Sequence, residues 1–160
     1  MAVQNCLPKF SIILVEDNPA DAEMLRVALR QLKADIHITH FESGKEVLKC
    51  LEVSHPPGSG KVCDLMLLDL NLPLVSGFDV LQYIRSKEHL RSLPVVVMSG
   101  SRNNADISQS LRLGANAYIA KPTELHAIFG AAEQILAMLK RLRETNEYDH
   151  SPASLHRTAG

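Results

Sequence analysis

The chain has 160 residues, of which 46% are hydrophobic and 22% charged, the composition of an ordinary globule with one core. Seventeen basic against eighteen acidic side chains leave a formal charge of −1 with no basic tract, which argues against nucleic acid or an anionic membrane as the main partner. No run approaches the roughly 18 apolar residues of a membrane helix. Met1 to Phe10 lacks the order of a signal peptide, and Cys6, Cys50 and Cys63 suit reduced thiols rather than a disulfide framework or a zinc site, so the expected location is cytoplasmic.

In chain order, the apolar run Ile12-Ile13-Leu14-Val15 closes on Glu16 and Asp17. Asn18-Pro19-Ala20-Asp21 then supplies a capping residue, a proline at the first helical position and an acid in the first turn, which opens a helix whose apolar stripe is Leu25, Ala28, Leu29 and Leu32. The segment Ile36 to Phe41 alternates with period two and predicts a strand with one wetter face. Ser43-Gly44-Lys45-Glu46 reads as a capping box before a helix with Val47, Leu48 and Leu51 on its stripe. Pro56-Pro57-Gly58-Ser59-Gly60 marks a loop, and the run Leu65-Met66-Leu67-Leu68 predicts a buried strand that ends at Asp69.

Ser76-Gly77-Phe78-Asp79 begins a helix carrying Val80, Leu81 and Ile84, and Pro94 introduces the strand Val95-Val96-Val97-Met98. A weakly amphipathic helix around Ile107 to Leu113 stops at Gly114, and Ala117-Tyr118-Ile119-Ala120 forms the last strand before Lys121-Pro122. Thr123 caps a final helix with the stripe Leu125, Ile128, Phe129, Ala132, Ile135, Leu136, Leu139 and Leu142. The alternation of strands and helices implies a doubly wound α/β fold, a parallel sheet covered on both faces with right-handed crossovers. The expected organisation is an N-terminal extension over 1–9, a folded domain over 10–143 and a flexible tail over 144–160.

In such a sheet the ligand crevice lies beyond the carboxyl ends of the strands. Every predicted strand but the second places a polar residue there: Glu16 and Asp17, Asp69, Ser99, and Lys121. Taken singly, each has an ordinary reading as a cap, a loop polar group or a surface lysine; their joint placement points to a site. Three carboxylates within a few ångströms repel one another by about 4 kcal/mol per pair at an effective dielectric near 20, so they call for a cation. Mg²⁺, or Mn²⁺, suits them as a hard ion that takes carboxylate and phosphate oxygens. Three acids, Lys121 and the divalent ion then sum to zero charge. The histidines show no metal-ligand spacing, and His89 lies in the loop segment Glu88 to Pro94 rather than in a phosphoacceptor helix.

The ordered set Val15-Glu16-Asp17-Asn18, Leu67-Leu68-Asp69-Leu70-Asn71-Leu72-Pro73 with Gly77, Val97-Met98-Ser99-Gly100, and Tyr118-Ile119-Ala120-Lys121-Pro122 resembles the receiver domain of two-component response regulators, the CheY-like family. The resemblance implies a five-stranded, flavodoxin-like (β/α)5 sheet of order 2-1-3-4-5 and a phosphoacceptor at Asp69. It also implies Mg²⁺ bound by Asp17, Asp69 and the backbone carbonyl of Asn71, with Glu16 holding a coordinated water. Lys121, the Ser99 hydroxyl and the Gly100 N–H would contact the phosphoryl group, and Ser99 with Tyr118 would form the switch. By the same resemblance Pro122 follows a cis peptide bond that aims Lys121 into the crevice.

The expected function is that of a stand-alone response regulator that accepts a phosphoryl group from a sensor histidine kinase or phosphotransfer protein and signals to a downstream protein partner, without acting as an enzyme on other substrates. The loop before the Asp69 strand and the long last helix are similar to those of single-domain regulators associated with bacterial phytochrome kinases. A haloacid-dehalogenase-like phosphatase is the enzyme alternative, but Asn71 stands where its general acid is required. A non-phosphorylated interaction domain of the same fold is the other. The distal Leu139 and Leu142 suggest a homodimer or docking face formed by the last strand and its two flanking helices, because the stripe outruns the core expected beneath it.

Overall fold

The central strands are apolar without interruption because both of their faces are covered. In the computed structural model, which describes residues 10–149, strands β1 (Phe10–Val15), β2 (Ile36–Phe41), β3 (Leu65–Leu68), β4 (Val95–Ser99) and β5 (Ala117–Ala120) alternate with helices α1 (Pro19–Gln31), α2 (Gly44–Ser54), α3 (Gly77–Ser86), α4 (Asn104–Arg112) and α5 (Leu125–Asp149). All strand pairs are parallel, in the order β2-β1-β3-β4-β5 that the resemblance implied. Parallel neighbours cannot be joined by a hairpin, so each connection carries a helix across one face.

Successive side chains of a strand point to opposite faces, which divides the core in two. Ile12, Leu14, Leu65 and Leu67 face α1 and α5, where Leu25, Leu29, Ala132, Ile135 and Leu139 close one cluster. Ile13, Val15, Met66 and Leu68 face α2 and α3, where Val47, Leu51, Val80, Leu81 and Ile84 close the other. The edge strand β2 alternates between half-buried and exposed residues along most of its length, as its sequence pattern predicts. Only Ser110 of α4 is buried, so this helix is held lightly.

Local chemistry sets the helix starts. Asn18 Oδ1 accepts from the Ala20 N–H at 2.9 Å, and Ser76 with Asp79 forms a full capping box in which each side chain accepts the other's N–H. The predicted box at Ser43 is only half made: Ser43 accepts from Glu46, but the Glu46 carboxylate turns to the Glu42 N–H. Gly114, at φ +98°, ends α4 in the left-handed region, where a side chain would also meet that of Arg85. The Arg85 guanidinium is satisfied by the carbonyls of Gly114, Arg91 and Leu93 and by Asn116 Oδ1, fastening the end of α3 to the loops before β4 and β5.

Several expectations are corrected. Glu124, not Thr123, immediately precedes α5, and Leu125 is 68% exposed, off the apolar stripe. The helix continues to Asp149, so residues 144–149 are helical rather than part of a tail. Leu139 is 1% exposed. Its core exists because β1 begins at Phe10, earlier than the apolar run suggested, and Phe10, Leu29, Leu32 and Ile36 extend the α1–α5 cluster; Leu142 packs against the same cluster. Leu139 therefore provides no surface for a second copy. The Lys121–Pro122 peptide is not cis, there being no cis bond among the described residues; the Lys121 N–H bonds to the Ser99 carbonyl at 2.8 Å, and the side chain enters the crevice from a trans backbone. The expected extension, the end of the tail and Cys6 lie outside the described residues. Cys63 is buried, which pushes its thiol up to about 12, and Cys50 is half-buried.

Candidate functional site

Val15 and Leu68 are paired across β1 and β3, so the residues that follow them, Glu16 and Asp69, leave the sheet side by side. The Asp69 N–H still donates to the Val15 carbonyl at 3.1 Å. One carboxylate oxygen from each of Glu16, Asp17 and Asp69 lies within 4.8 Å of the others. Glu16 and Asp69 are each 4% exposed, whereas Asp17 is exposed and opens the cluster to solvent. Three hard oxygen donors with one open side fit an ion of the Mg²⁺ or Mn²⁺ type, which retains waters while taking one or two carboxylates.

Lys121 enters from β5 and bridges the acids. Its Nζ lies 2.8 Å from Asp69 Oδ2 and 3.2 Å from Asp21 Oδ2, and it salt-bridges Glu16 as well. Burial lowers the ammonium's pKa, but hydrogen bonds to Asp69 and Glu16 outweigh that and hold it well above the ordinary lysine value. Burial raises the Glu16 carboxyl above the usual range, with the hydrogen bonds from Lys121 and the Asn18 N–H only partly offsetting it. The two shifts have different causes: the carboxylates of Asp69 and Glu16 keep the proton on Lys121, whereas loss of solvent raises Glu16 against the pull of the lysine. Asp21 was read from the sequence only as a first-turn acid. Its closeness to Lys121 follows from the Asn18 cap, which sets the start of α1 beside the crevice.

Ser99 is fully buried at the end of β4; its Oγ accepts from the Ser101 N–H at 3.4 Å and from Asn71 Nδ2 at 3.5 Å, both long. The Asn71 N–H donates to Asp69 Oδ1 at 3.2 Å, which folds the loop back over the carboxylate. Gly100 has open space where a Cβ would stand, so crowding does not require glycine there. Gly77 differs. A Cβ on it would overlap the Asp69 carbonyl oxygen and lie 2.7 Å from Leu70 Cα, so the start of α3 packs directly on the main chain of the acid.

Two features were not legible in the sequence. Tyr118 is half-buried and donates its hydroxyl to the Ser101 carbonyl at 2.6 Å, while the Ser101 hydroxyl donates to Asp106 Oδ2 at 2.5 Å. Strand β2, expected to contribute nothing polar, supplies His40, whose Nε2 lies 2.7 Å from the Glu16 carbonyl oxygen.

Residues 12–133 match the family described as the response regulator receiver domain. The probable methanogenesis regulatory protein FilR2 of Methanothrix harundinacea is 35% identical over 79% of this chain and 81% of its own length. Response regulator Rcp1 of Synechocystis sp. has been solved in a Mn²⁺-bound form, which is 31% identical with a TM-score of 0.70 over 79% of this chain and 91% of that one. The phosphorylated cyanobacterial phytochrome response regulator RcpA is 36% identical with a TM-score of 0.72, covering 80% of this chain and 91% of its own. The order of the strands, the strand-end acids and lysine, and the match over residues 12–133 agree: this chain belongs to the receiver-domain family of two-component response regulators.

Proposed function

We propose that Asp69 accepts a phosphoryl group from a phosphohistidine on a sensor histidine kinase or phosphotransfer protein, with Mg²⁺ or Mn²⁺ bound beside it. The observation that carries this reading is the placement of one buried carboxylate, Asp69, against two further acids and 2.8 Å from a lysine ammonium. The phosphorylated form of RcpA and the Mn²⁺-bound form of Rcp1 support it by similarity.

Phosphoryl transfer needs mainly positioning and neutralisation of the transferring oxygens. An Asp69 carboxylate oxygen attacks phosphorus; the P–N bond to the donor imidazole breaks, its electron pair stays on nitrogen, and an acyl phosphate remains. Asp17, Asp69 and the Asn71 carbonyl would hold the ion, with Glu16 reaching it through water, and the ion supplies positive charge to the phosphoryl oxygens. Lys121 moves its ammonium from the Asp69 carboxylate to those oxygens, and the Ser99 hydroxyl and Gly100 N–H donate to them. Asn71 offers an amide rather than a general acid, which disfavours the phosphatase reading.

The acyl phosphate carries about −1.5 to −2 charge where the carboxylate carried about −1, and it presents that charge on three phosphoryl oxygens further into the crevice. Ser99 is drawn toward it, and the change passes through Ser101 to Tyr118 and the face of α4, β5 and α5, where Leu111 and Leu125 are exposed. A downstream protein, or a second copy of the chain, reads that face. The reading is tested by exposing the pure protein to acetyl phosphate with and without Mg²⁺ and recording intact mass. One Mg²⁺-dependent phosphoryl adduct, absent in Asp69→Asn, is expected. No adduct from protein that binds Mg²⁺, or equal labelling of Asp69→Asn, overturns it.

A further inference from the structure

His40 is a polar group at this sheet edge that the chemistry above leaves without a task. Its partner is a carbonyl oxygen, which can only accept, so Nε2 carries the proton and donates to Glu16 O at 2.7 Å. Either the neutral Nε2–H tautomer or the imidazolium can make this bond, so it does not depend on charge. The Glu16 N–H donates to the Phe41 carbonyl at 3.0 Å. Strand β2 thus holds both main-chain groups of Glu16, one through its ladder and one through a side chain.

The consequence falls on the next residue. A peptide unit is planar, so fixing the Glu16 carbonyl also fixes the nitrogen and Cα of Asp17. The Asp17 carboxylate is exposed and has no hydrogen-bond or ion-pair partner among the described residues, in contrast to Glu16 and Asp69, which Lys121 anchors. The main chain is therefore what places it. His37, on the same strand, is exposed and makes no comparable contact, so a histidine on β2 is not in itself enough.

We propose that His40 is a positioning residue: its bond to the Glu16 carbonyl orients the Glu16–Asp17 peptide and so sets the Asp17 carboxylate against Asp69 for divalent-cation binding. The inference rests on the metal role proposed above. Partners that orient metal ligands change affinity by about 10–100-fold when removed.

Calorimetric titration of Mg²⁺ into wild type, His40→Ala, His40→Gln and His37→Ala tests it, alongside the Asp17 amide resonance of each metal-free protein. His40→Ala is expected to bind Mg²⁺ about 10-fold more weakly and to shift the Asp17 resonance. His40→Gln, whose amide can donate to the same carbonyl, restores both toward wild type, and His37→Ala changes neither. Wild-type affinity in His40→Ala, or His40→Gln as weak as His40→Ala, overturns the inference. If wild type itself binds no Mg²⁺, the proposed metal role falls, and an Asp17 resonance unmoved by His40→Ala overturns the positioning as well.

Discussion

The Tyr118 hydroxyl donates to the Ser101 carbonyl at 2.6 Å, tying β5 to the loop that follows Ser99. Because Ser101 also donates to Asp106 in the first turn of α4, strand, loop and helix share one hydrogen-bonded path. Tyr118→Phe keeps the ring in its packing and removes one neutral hydrogen bond, so a loss of about 0.5–1.5 kcal/mol is expected. Urea denaturation should show a lower midpoint at unchanged slope, with phosphoryl labelling intact. Loss of labelling would place Tyr118 in the transfer itself.

Lys121→Ala leaves Glu16 and Asp69 without their cation. Breaking a buried pair from one side costs about 3–5 kcal/mol, and a divalent ion then gains the charge that the lysine neutralised. Thermal scans should show a larger Mg²⁺-induced rise in Tm for the variant than for wild type. The raised Lys121 pKa sets a second sign: the folded state retains its proton longer, so the lysine's contribution is complete below 10.5 and falls as pH rises beyond it. The variant should lack that alkaline loss. Equal Mg²⁺ responses in the two proteins would remove Lys121 from the shared charge balance.

Asp64 sits at the opposite end of the sheet, where it accepts from the Ser11 N–H at 2.7 Å and from Lys61 at 2.6 Å. Burial raises its carboxyl, but the hydrogen bonds from Lys61 and Ser11 prevail and hold it below 3.8. The unfolded chain then takes up a proton first as pH falls, so the stabilisation is present above 3.8 and disappears through the lower folded value. Asp64→Asn is expected to cost about 1.5–3 kcal/mol at neutral pH, with the gap from wild type closing in acid. A gap that persists in strong acid would point to packing rather than charge.

Gly77→Ala forces a methyl against the Asp69 main chain and is expected to cost about 1–3 kcal/mol while slowing phosphoryl uptake. Gly100→Ala, where space is open, should stay within about 0.5 kcal/mol of wild type. Thermal unfolding and a labelling time course on both variants check this. Equal effects at the two positions would contradict the packing difference.

Sequence by itself determined what depends on residue type and near neighbours. The short apolar runs of β3 and β4, bounded by turn residues, read as buried strands, Asn18 and Ser76 carry their own capping chemistry, and the polar residue closing each of four strands marked one edge once the strands were taken as parallel. Tertiary structure decided what depends on which elements become neighbours. Lys121 meets Asp21 across 100 positions of chain, and His40 meets the Glu16 carbonyl across 24. Leu139 is buried because β1, α1 and α5 jointly extend the core to it, and Lys121 reaches the acids from a trans backbone. Periodicity and capping encode the local energy of a segment, whereas these contacts arise from the packing of one segment on another, which no single stretch of residues contains.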